Sequence, residues 1–256
     1  MKALQQEYNK ALSGMQGRDI LVIGDMVADI YLDGRISRIS REAPVLVLEQ
    51  AGEKVVAGGA ANVVNNIATL GGKVHAVGLV GRDKSADGLR AILAKNGADV
   101  RGLIADASRP TISKTRIIAG GRATVSQQIV RIDRESKAPM APAVEAELRA
   151  YIKSVLPTVE GVLVTRGELG MVLIEHGAVH EIPVSDKSEV FDVSGAGDTC
   201  VAAVILALAA GVAPATAARL SNIASGIAVR KLGTSTVSVR ELAEAIEKSR
   251  EEYTSK

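Results

Sequence analysis

The sequence alternates short apolar runs with helical segments, and this order constrains the fold more than any other feature. Its first run is Ile-Leu-Val-Ile at 20–23, followed by Gly24, which is typical of a strand buried on both faces of a parallel sheet. Further along, a helix at 60–70 leads into a strand at 74–80 and then into a helix at 85–95. Strand–helix–strand units imply parallel strands covered by helices, so the sequence predicts an α/β fold.

Two stretches interrupt this order. Residues 31–50 and 111–133 have the half-polar pattern of short strands around turns, and the second stretch turns through Gly120 and Gly121. We expect the second stretch to be an antiparallel hairpin that joins the first in a small separate sheet.

The C-terminal half returns to alternating elements. The pattern predicts a helix at 141–155, a buried strand at 161–165, a strand pair within 171–182, and helices at about 196–210, 214–230 and 238–252. Since 256 residues suffice for one sizeable core, we expect a single domain over 1–256.

Composition excludes several classes of partner. Aromatic residues make up 2% of the chain and the net charge is +2, which argues against nucleic-acid binding and against a membrane surface. The single cysteine, Cys200, cannot form an intrachain disulfide, so we expect a reducing, cytoplasmic location. The three histidines lack the spacing of a structural metal site, and no metal-binding residue is predicted.

The most informative stretch for chemistry is the turn Gly195-Ala196-Gly197, which opens into an apolar helix. Small residues leave the backbone N–H groups accessible, and the helix dipole adds positive potential, so this turn can hold a phosphoryl group. Asp198 follows in the first helical turn and could accept a proton from an attacking hydroxyl. It could equally cap the helix, and the spacing alone leaves both interpretations open.

A second group of polar residues lies near the N-terminus. Asp25 and Asp29 follow the first predicted strand, where α/β sheets bind ligands, and Gly58, Gly59 and Asn62 introduce a helix. Two carboxylates and an amide suit several sugar hydroxyls. By themselves, the glycines could be only a flexible turn and Asn62 only a polar residue at a helix start.

Taken together, residues 58–62 and 192–199 resemble the paired signatures of the ribokinase-like (PfkB) sugar kinases. Further stretches are similar to the kinase domain of bacterial ADP-heptose synthesis, namely 37–45, 110–116, 127–133 and 231–238. The similarity runs from about 19 to 245. It implies a ribokinase-like three-layer αβα sandwich with a mostly parallel sheet and a small antiparallel lid, formed here by 31–50 and 111–133.

The resemblance also implies roles for individual residues. Asp198 is the expected general base, and the expected anion hole consists of Gly195, Ala196 and Gly197. The sugar is expected to contact Asp25, Asp29, Gly58, Gly59 and Asn62. Lys114 and Arg131 are expected to contact a phosphate already on the sugar, although they could be ordinary surface charges. The nucleotide pocket is expected to include Thr165, Gly167, Asn222 and Gly226.

The implied activity is transfer of phosphate from ATP, with Mg²⁺, to O1 of D-glycero-β-D-manno-heptose 7-phosphate. A ribokinase- or fructokinase-like substrate is the nearest rival. The family's lid often forms a dimer surface, so a homodimer through these strands is expected.

The chain departs from the family between 155 and 161, where about two strand–helix units are missing and no Asn-x-x-Glu motif occurs. Such a loss should make the remaining strands pair anew or leave a strand edge exposed. Three explanations stay open: a naturally shortened kinase, an engineered internal deletion, or a protein that binds a sugar phosphate without transferring phosphate to it.

Overall fold

A computed structural model describes residues 2–120, 126–155, 161–165, 171–175, 178–182, 195–231 and 235–254. The helices are α1 (Lys2–Gly14), α2 (Ala60–Thr69), α3 (Lys84–Lys95), α4 (Pro142–Val155), α5 (Ala196–Ala209), α6 (Pro214–Ala228) and α7 (Val239–Thr254). The strands are β1 (Asp19–Ile23), β2 (Met26–Ile39), β3 (Leu46–Gly59), β4 (Lys73–Val80), β5 (Leu103–Ala105), β6 (Ser113–Gly120), β7 (Gln127–Arg134), β8 (Gly161–Thr165), β9 (Met171–Glu175) and β10 (Ala178–Ile182). Most predicted elements are present close to their expected bounds, while β2 and β3 are longer than expected.

The parallel part of the fold is a three-stranded sheet in the order β1-β4-β5. Helix α2 packs against β1 and β4, and α5 in turn packs against α2 and α6. One apolar cluster joins these elements and includes Met26, Ile67, Leu89, Leu206 and Leu220, each without exposed surface. The predicted arrangement of parallel strands with packed helices is therefore present here.

The lid sheet, in the order β3-β2-β6-β7, contains the strands expected at 31–50 and 111–133. The pairs β2–β3 and β6–β7 are antiparallel, as expected, but β2 and β6 run parallel. The reason is that β2 follows the end of β1 and β6 follows the end of β5, so both leave the parallel sheet in the same direction. Residues 121–125 of the predicted hairpin turn lie outside the described residues.

A third sheet is antiparallel, in the order β10-β9-β8. Leu163 and Leu173 face Val204 of α5, whereas Val162 and Val179 on the other face are 48% and 66% exposed. The prediction of a buried strand at 161–165 is therefore wrong for one face, because no described helix covers that side.

β1 also differs from expectation. Ile23 is 58% exposed, so the prediction of a strand buried on both faces is wrong at this end. Among the described strands, β1 pairs only with β4 and no ladder joins it to β8. An exposed strand edge is the consequence expected from the missing strand–helix units.

The C-terminal helix begins with the reciprocal hydrogen bonds of a capping box. The Ser238 backbone N–H donates to Glu241 at 2.8 Å, and the Glu241 backbone N–H donates to the Ser238 hydroxyl at 3.3 Å. In the described part of the chain, every helix is too short or too polar to cross a membrane.

Candidate active site

Helix α5 begins directly at the Gly195-Ala196-Gly197 turn. Gly195 has a φ of +86°, a left-handed conformation that favours glycine at this position. A Cβ added to Gly197 would meet no atom of the described residues within 4 Å, so these residues leave space beside it. The N–H groups of a first helical turn have no intrahelical acceptor, so the turn can hold an anion as the sequence predicts.

The carboxylate of Asp198 contacts α2. The Asn62 side-chain N–H donates to Asp198 Oδ2 at 2.8 Å, and this is the hydrogen bond that the described residues supply to the carboxylate. A role as a simple helix cap does not account for this contact with another helix. Because 136 residues separate the two partners, this contact brings the two halves of the predicted site together.

Burial raises the pKa of the Asp198 carboxyl above its ordinary value. The hydrogen bond from Asn62 opposes this rise, the negative charge of Asp29 adds to it, and the positive charge of Lys114 lowers it again. Asp198 therefore lies within electrostatic reach of Asp29 and Lys114, which come from two strands of the lid sheet. A carboxylate with a raised pKa suits a general base.

Asp29 is buried on β2 and forms an ion pair with Arg116 of β6. The distance from Arg116 Nη1 to Asp29 Oδ1 is 2.6 Å, and the guanidinium also lies 5.3 Å from the ring centroid of Tyr31. Gly58 lies against the same carboxylate, since a Cβ added there would be 2.5 Å from Asp29 Oδ2. The glycine at this position makes room for the Asp29 carboxylate.

Asp25 and Gly59 shape the start of α2. The Ala60 backbone N–H donates to the Asp25 carbonyl at 3.0 Å, and the Asp25 side chain is exposed. Gly59 has a φ of +54°, and a Cβ there would be 2.9 Å from the same carbonyl oxygen. Gly59 is therefore needed for the turn that carries Asn62.

Lys114 and Arg131 lie on one face of the lid sheet. In the register, Asp29 pairs with Lys114, Tyr31 with Arg116, and Arg116 with Arg131. Since paired residues and residues two apart share a face, these side chains belong to the side that carries Asp29. Arg131 is also paired with Asp133 at 2.8 Å, on a strand that is exposed throughout.

Two of the residues predicted for the nucleotide, Asn222 and Gly226, lie on α6. The Ser225 hydroxyl of this helix donates to the Ala196 carbonyl at 3.2 Å, and Asn222 lies one turn before Gly226 on the same helical face. A Cβ on Gly226 would meet no atom of the described residues within 4 Å. Thr165 is the last residue of β8, and the structure describes its backbone only. Gly167 lies outside the described residues.

Sequence reasoning missed three residues of this site. Arg116 forms an ion pair with Asp29. The Thr199 hydroxyl donates to the Asn66 side-chain oxygen at 3.1 Å, next to the contact between Asn62 and Asp198. Asn66 could have been found, because it lies one helical turn after Asn62 and so shares its face. Arg116 could not, because its partner is set by the lid register.

The described residues contain no group of three or more His, Cys, Asp or Glu side chains that could hold a metal ion. Mg²⁺ commonly binds through one or two carboxylates together with substrate phosphates, so a magnesium ion bound with a nucleotide does not require such a group.

Comparison with known proteins identifies the family. The profile of the pfkB family carbohydrate kinases matches residues 18–154 and 133–241, two segments that overlap just before the departure from the family expected at 155–161. A protein named bifunctional protein HldE from Citrifermentans bemidjiense is 36% identical over 308 residues, covering 87% of this chain and 62% of the relative. Another of the same name, from Azorhizobium caulinodans, is 35% identical over 323 residues, covering 93% of this chain and 66% of the relative. The chain thus spans about two thirds of the length of these relatives.

The alignment length gives the number of positions that stand opposite gaps in this chain. Since 87% of 256 residues is about 223, and the alignment has 308 positions, about 85 positions stand opposite gaps in this chain. That number fits the expected loss of about two strand–helix units, at roughly 30 residues or more each.

Solved structures agree on the fold. A carbohydrate kinase from Agrobacterium tumefaciens has a TM-score of 0.56 at 17% identity, covering 90% of this chain and 97% of that one. Arabidopsis thaliana ribokinase, solved with ribose and ATP, has a TM-score of 0.54 at 15% identity, covering 90% and 98%. The expected ribokinase-like α/β fold is confirmed. By its profile match, its relatives and its fold, this chain belongs to the pfkB family of carbohydrate kinases.

Proposed function

We propose that this chain transfers the γ-phosphoryl group of ATP to O1 of D-glycero-β-D-manno-heptose 7-phosphate, giving the 1,7-bisphosphate. The observation that carries the kinase chemistry is the contact between Asn62 and Asp198 beside an open glycine turn. The choice of a phosphorylated heptose is supported by the cationic lid face and by the relatives named bifunctional protein HldE.

The proposed reaction needs one proton acceptor and one anion site. Asp198 takes the proton of the acceptor hydroxyl as its oxygen attacks the γ-phosphorus. The bond from that phosphorus to the bridging oxygen breaks, and ADP leaves with the bond's electron pair. The N–H groups of residues 195–197 stabilise the charge on the migrating phosphoryl group, and Mg²⁺ would neutralise charge on the nucleotide.

The sugar is bound on the lid side in this proposal. The Asp29 carboxylate accepts hydrogen bonds from its hydroxyls, and the Asn62 side-chain N–H donates a hydrogen bond to one of them. Lys114 and Arg131 contact its phosphate, since they share the sheet face that carries Asp29. Arg116 orients Asp29 through the 2.6 Å ion pair and leaves that carboxylate only one oxygen for the sugar.

The test is ATP consumption across a panel of free sugars and sugar phosphates. We expect turnover with a heptose 7-phosphate and little with ribose or fructose. Lys114→Gln should raise KM for the sugar phosphate at least tenfold, while Lys137→Gln, an exposed lysine on the 135–141 connection, should leave it unchanged. Turnover of free sugars alone would select the ribokinase- or fructokinase-like alternative.

We also propose a homodimer through the lid sheet. Ile39 and Ile132 are 67% and 54% exposed on β2 and β7, and burying such side chains would favour association. Light scattering should give twice the monomer mass, and Ile132→Lys should shift it to the monomer. A monomer at every concentration would contradict the proposal.

A second candidate is a sugar-phosphate-binding protein without transferase activity. The observation that favours it is the gap of about 85 alignment positions, since the loss of that much chain removes strands that could border the nucleotide. Calorimetric titration separates the two. Binding of sugar phosphate without binding of ATP and Mg²⁺ would select this candidate.

A further inference from the structure

The side chain of Asn66 has no exposed surface, and its hydrogen bonds join three segments of the fold. Its N–H donates to the Asn62 backbone carbonyl at 2.9 Å and lies 3.3 Å from the Asn62 side-chain oxygen. Its own oxygen accepts from the Thr199 hydroxyl at 3.1 Å and from the Val237 backbone N–H at 3.3 Å. Asn66 is thus linked to α2, to the first turn of α5 and to the segment before α7.

These contacts fix which way two amides point. The Thr199 hydroxyl can donate or accept, so it does not decide the orientation of Asn66. The Val237 backbone N–H can only donate, so the Asn66 oxygen must face it and the Asn66 N–H must face Asn62. The Asn62 oxygen then faces Asn66, which leaves the Asn62 N–H directed at Asp198.

We infer that Asn66 is a positioning residue, which acts through Asn62 to present an N–H, and not a carbonyl oxygen, to the Asp198 carboxylate. This inference rests on the proposed function only for its effect on catalysis. A reversed Asn62 amide would bring two oxygens to the 2.8 Å separation that the hydrogen bond now occupies. Repulsion there would favour the protonated, inactive form of the base.

Several other charges act on Asp198. Asp29 of β2 raises its pKa and Lys114 of β6 lowers it, while Arg116 pairs with Asp29. The Asn62 N–H is the neutral donor within this set and supports the ionised form in a buried site. Removing Asn66 leaves the three charges in place, so its effect can be separated from theirs.

The test is a double-mutant cycle with pH–rate profiles. Asn66→Ala should raise the apparent pKa on the acidic side of the kcat profile, called the acidic limb below, by about one unit. This is the amount expected for loss of one hydrogen bond to a charged group. At pH values below that pKa, kcat should fall about tenfold. Asn62→Ala should move the same limb in the same direction. In the Asn62→Ala background, Asn66→Ala should add no further shift.

Asn65→Ala is the matched control, because Asn65 lies on the same helix and bonds Asn96 at the surface. This variant should have the same apparent pKa on the acidic limb of the kcat profile as the unsubstituted chain. An additive effect of Asn66→Ala in both backgrounds, or lowered activity with an unmoved limb, would show a purely structural role and overturn the inference.

A measurement without turnover separates this inference from the proposed function. The ¹³C resonance of the Asp198 carboxyl can be titrated in the free protein, where Asn66→Ala should raise its pKa as Asn62→Ala does. An unchanged titration in Asn66→Ala overturns the inference even if the kinase is active. If Asn66→Ala does not fold, Asn66→Leu, which has a similar volume, loses the donor and adds no charge, should give the same upward shift.

Discussion

Arg116 and Asp29 form a short ion pair across two parallel strands of the lid sheet, with Nη1 and Oδ1 2.6 Å apart. Both side chains are largely withdrawn from solvent, so each charge depends on the other for compensation. The pair fixes one oxygen of Asp29 and leaves the other beside Gly58. The proposed sugar side of the site therefore depends on a contact between two strands of the lid sheet, β2 and β6.

Gly58→Ala should disturb this arrangement directly. The new Cβ would lie 2.5 Å from Asp29 Oδ2, so the carboxylate would have to move away from Arg116. We expect KM for the sugar to rise at least tenfold and the free energy of unfolding to fall by about 1–3 kcal/mol, as for overpacking. On the same strand, Gly52→Ala should be nearly neutral, because its nearest contact would be 3.8 Å away. Equal KM values for the two variants would contradict this view of Asp29.

Gly197→Ala should separate stability from activity. Alanine favours a helix over glycine by up to about 1 kcal/mol, and the added Cβ meets no atom within 4 Å in the described part of the chain. We therefore expect a slightly higher melting temperature. If the open space beside this residue receives the phosphoryl group, kcat should fall by about 10²-fold, the loss typical of a damaged oxyanion site. Full activity in this variant would remove Gly197 from the anion site.

Glu241 should make stability depend on pH. The hydrogen bonds from Lys231 and Ser238 lower the pKa of its carboxyl to about 2. Because this folded value lies below the unfolded one, the stabilisation is present above about pH 4.5 and is lost as the pH falls towards 2. Its side chain is 38% exposed, so solvent screening limits the gain to about 1 kcal/mol or less.

Urea unfolding of Glu241→Gln should thus show a loss at pH 7 that disappears near pH 2. Glu244 lies on the same helix and forms an ion pair with Arg240 at the surface, so Glu244→Gln should lose less at pH 7. A loss for Glu241→Gln that stays constant from pH 7 to 2 would contradict the assigned pKa shift.

The β8–β9–β10 sheet should respond differently on its two faces. Leu173 is 2% exposed against α5, so Leu173→Ala should cost about 2–5 kcal/mol of unfolding free energy. Val162 is 48% exposed on the opposite face, and Val162→Thr should change stability by less than about 0.5 kcal/mol. A large cost for Val162→Thr would indicate that this face is covered in solution.

Local patterns in the sequence predict much of this molecule. The turn 195–197 and the start of α2 each have a glycine at positive φ, a conformation that glycine adopts at low cost, so the glycines in the sequence mark these turns. Asp198 and Asn62 each sit in the first turn of a predicted helix, and the family resemblance was needed to connect them. Local patterns could not reveal Arg116 as the partner of Asp29, since the parallel register of β2 and β6 decides that contact.

The burial of β1 and β8 was also predicted only in part. The apolar runs at 20–23 and 161–165 predict strands with both faces covered, and both strands are present but partly exposed. An apolar run reports what a strand can bury, while neighbouring elements decide what is buried. Ile23 and Val162 lie at the surface because no described element covers them, which agrees with the expected loss of about two strand–helix units.

The most direct test of the account is the activity of Asp198→Asn with ATP and a heptose 7-phosphate. Asparagine keeps an oxygen that can accept the hydrogen bond from Asn62, so folding and sugar binding should be retained. Loss of a general base should lower kcat by about 10²–10⁴-fold, with the dissociation constant for the sugar phosphate within a few-fold of the original. A kcat equal to that of the unsubstituted chain would contradict the assignment of Asp198 as the base.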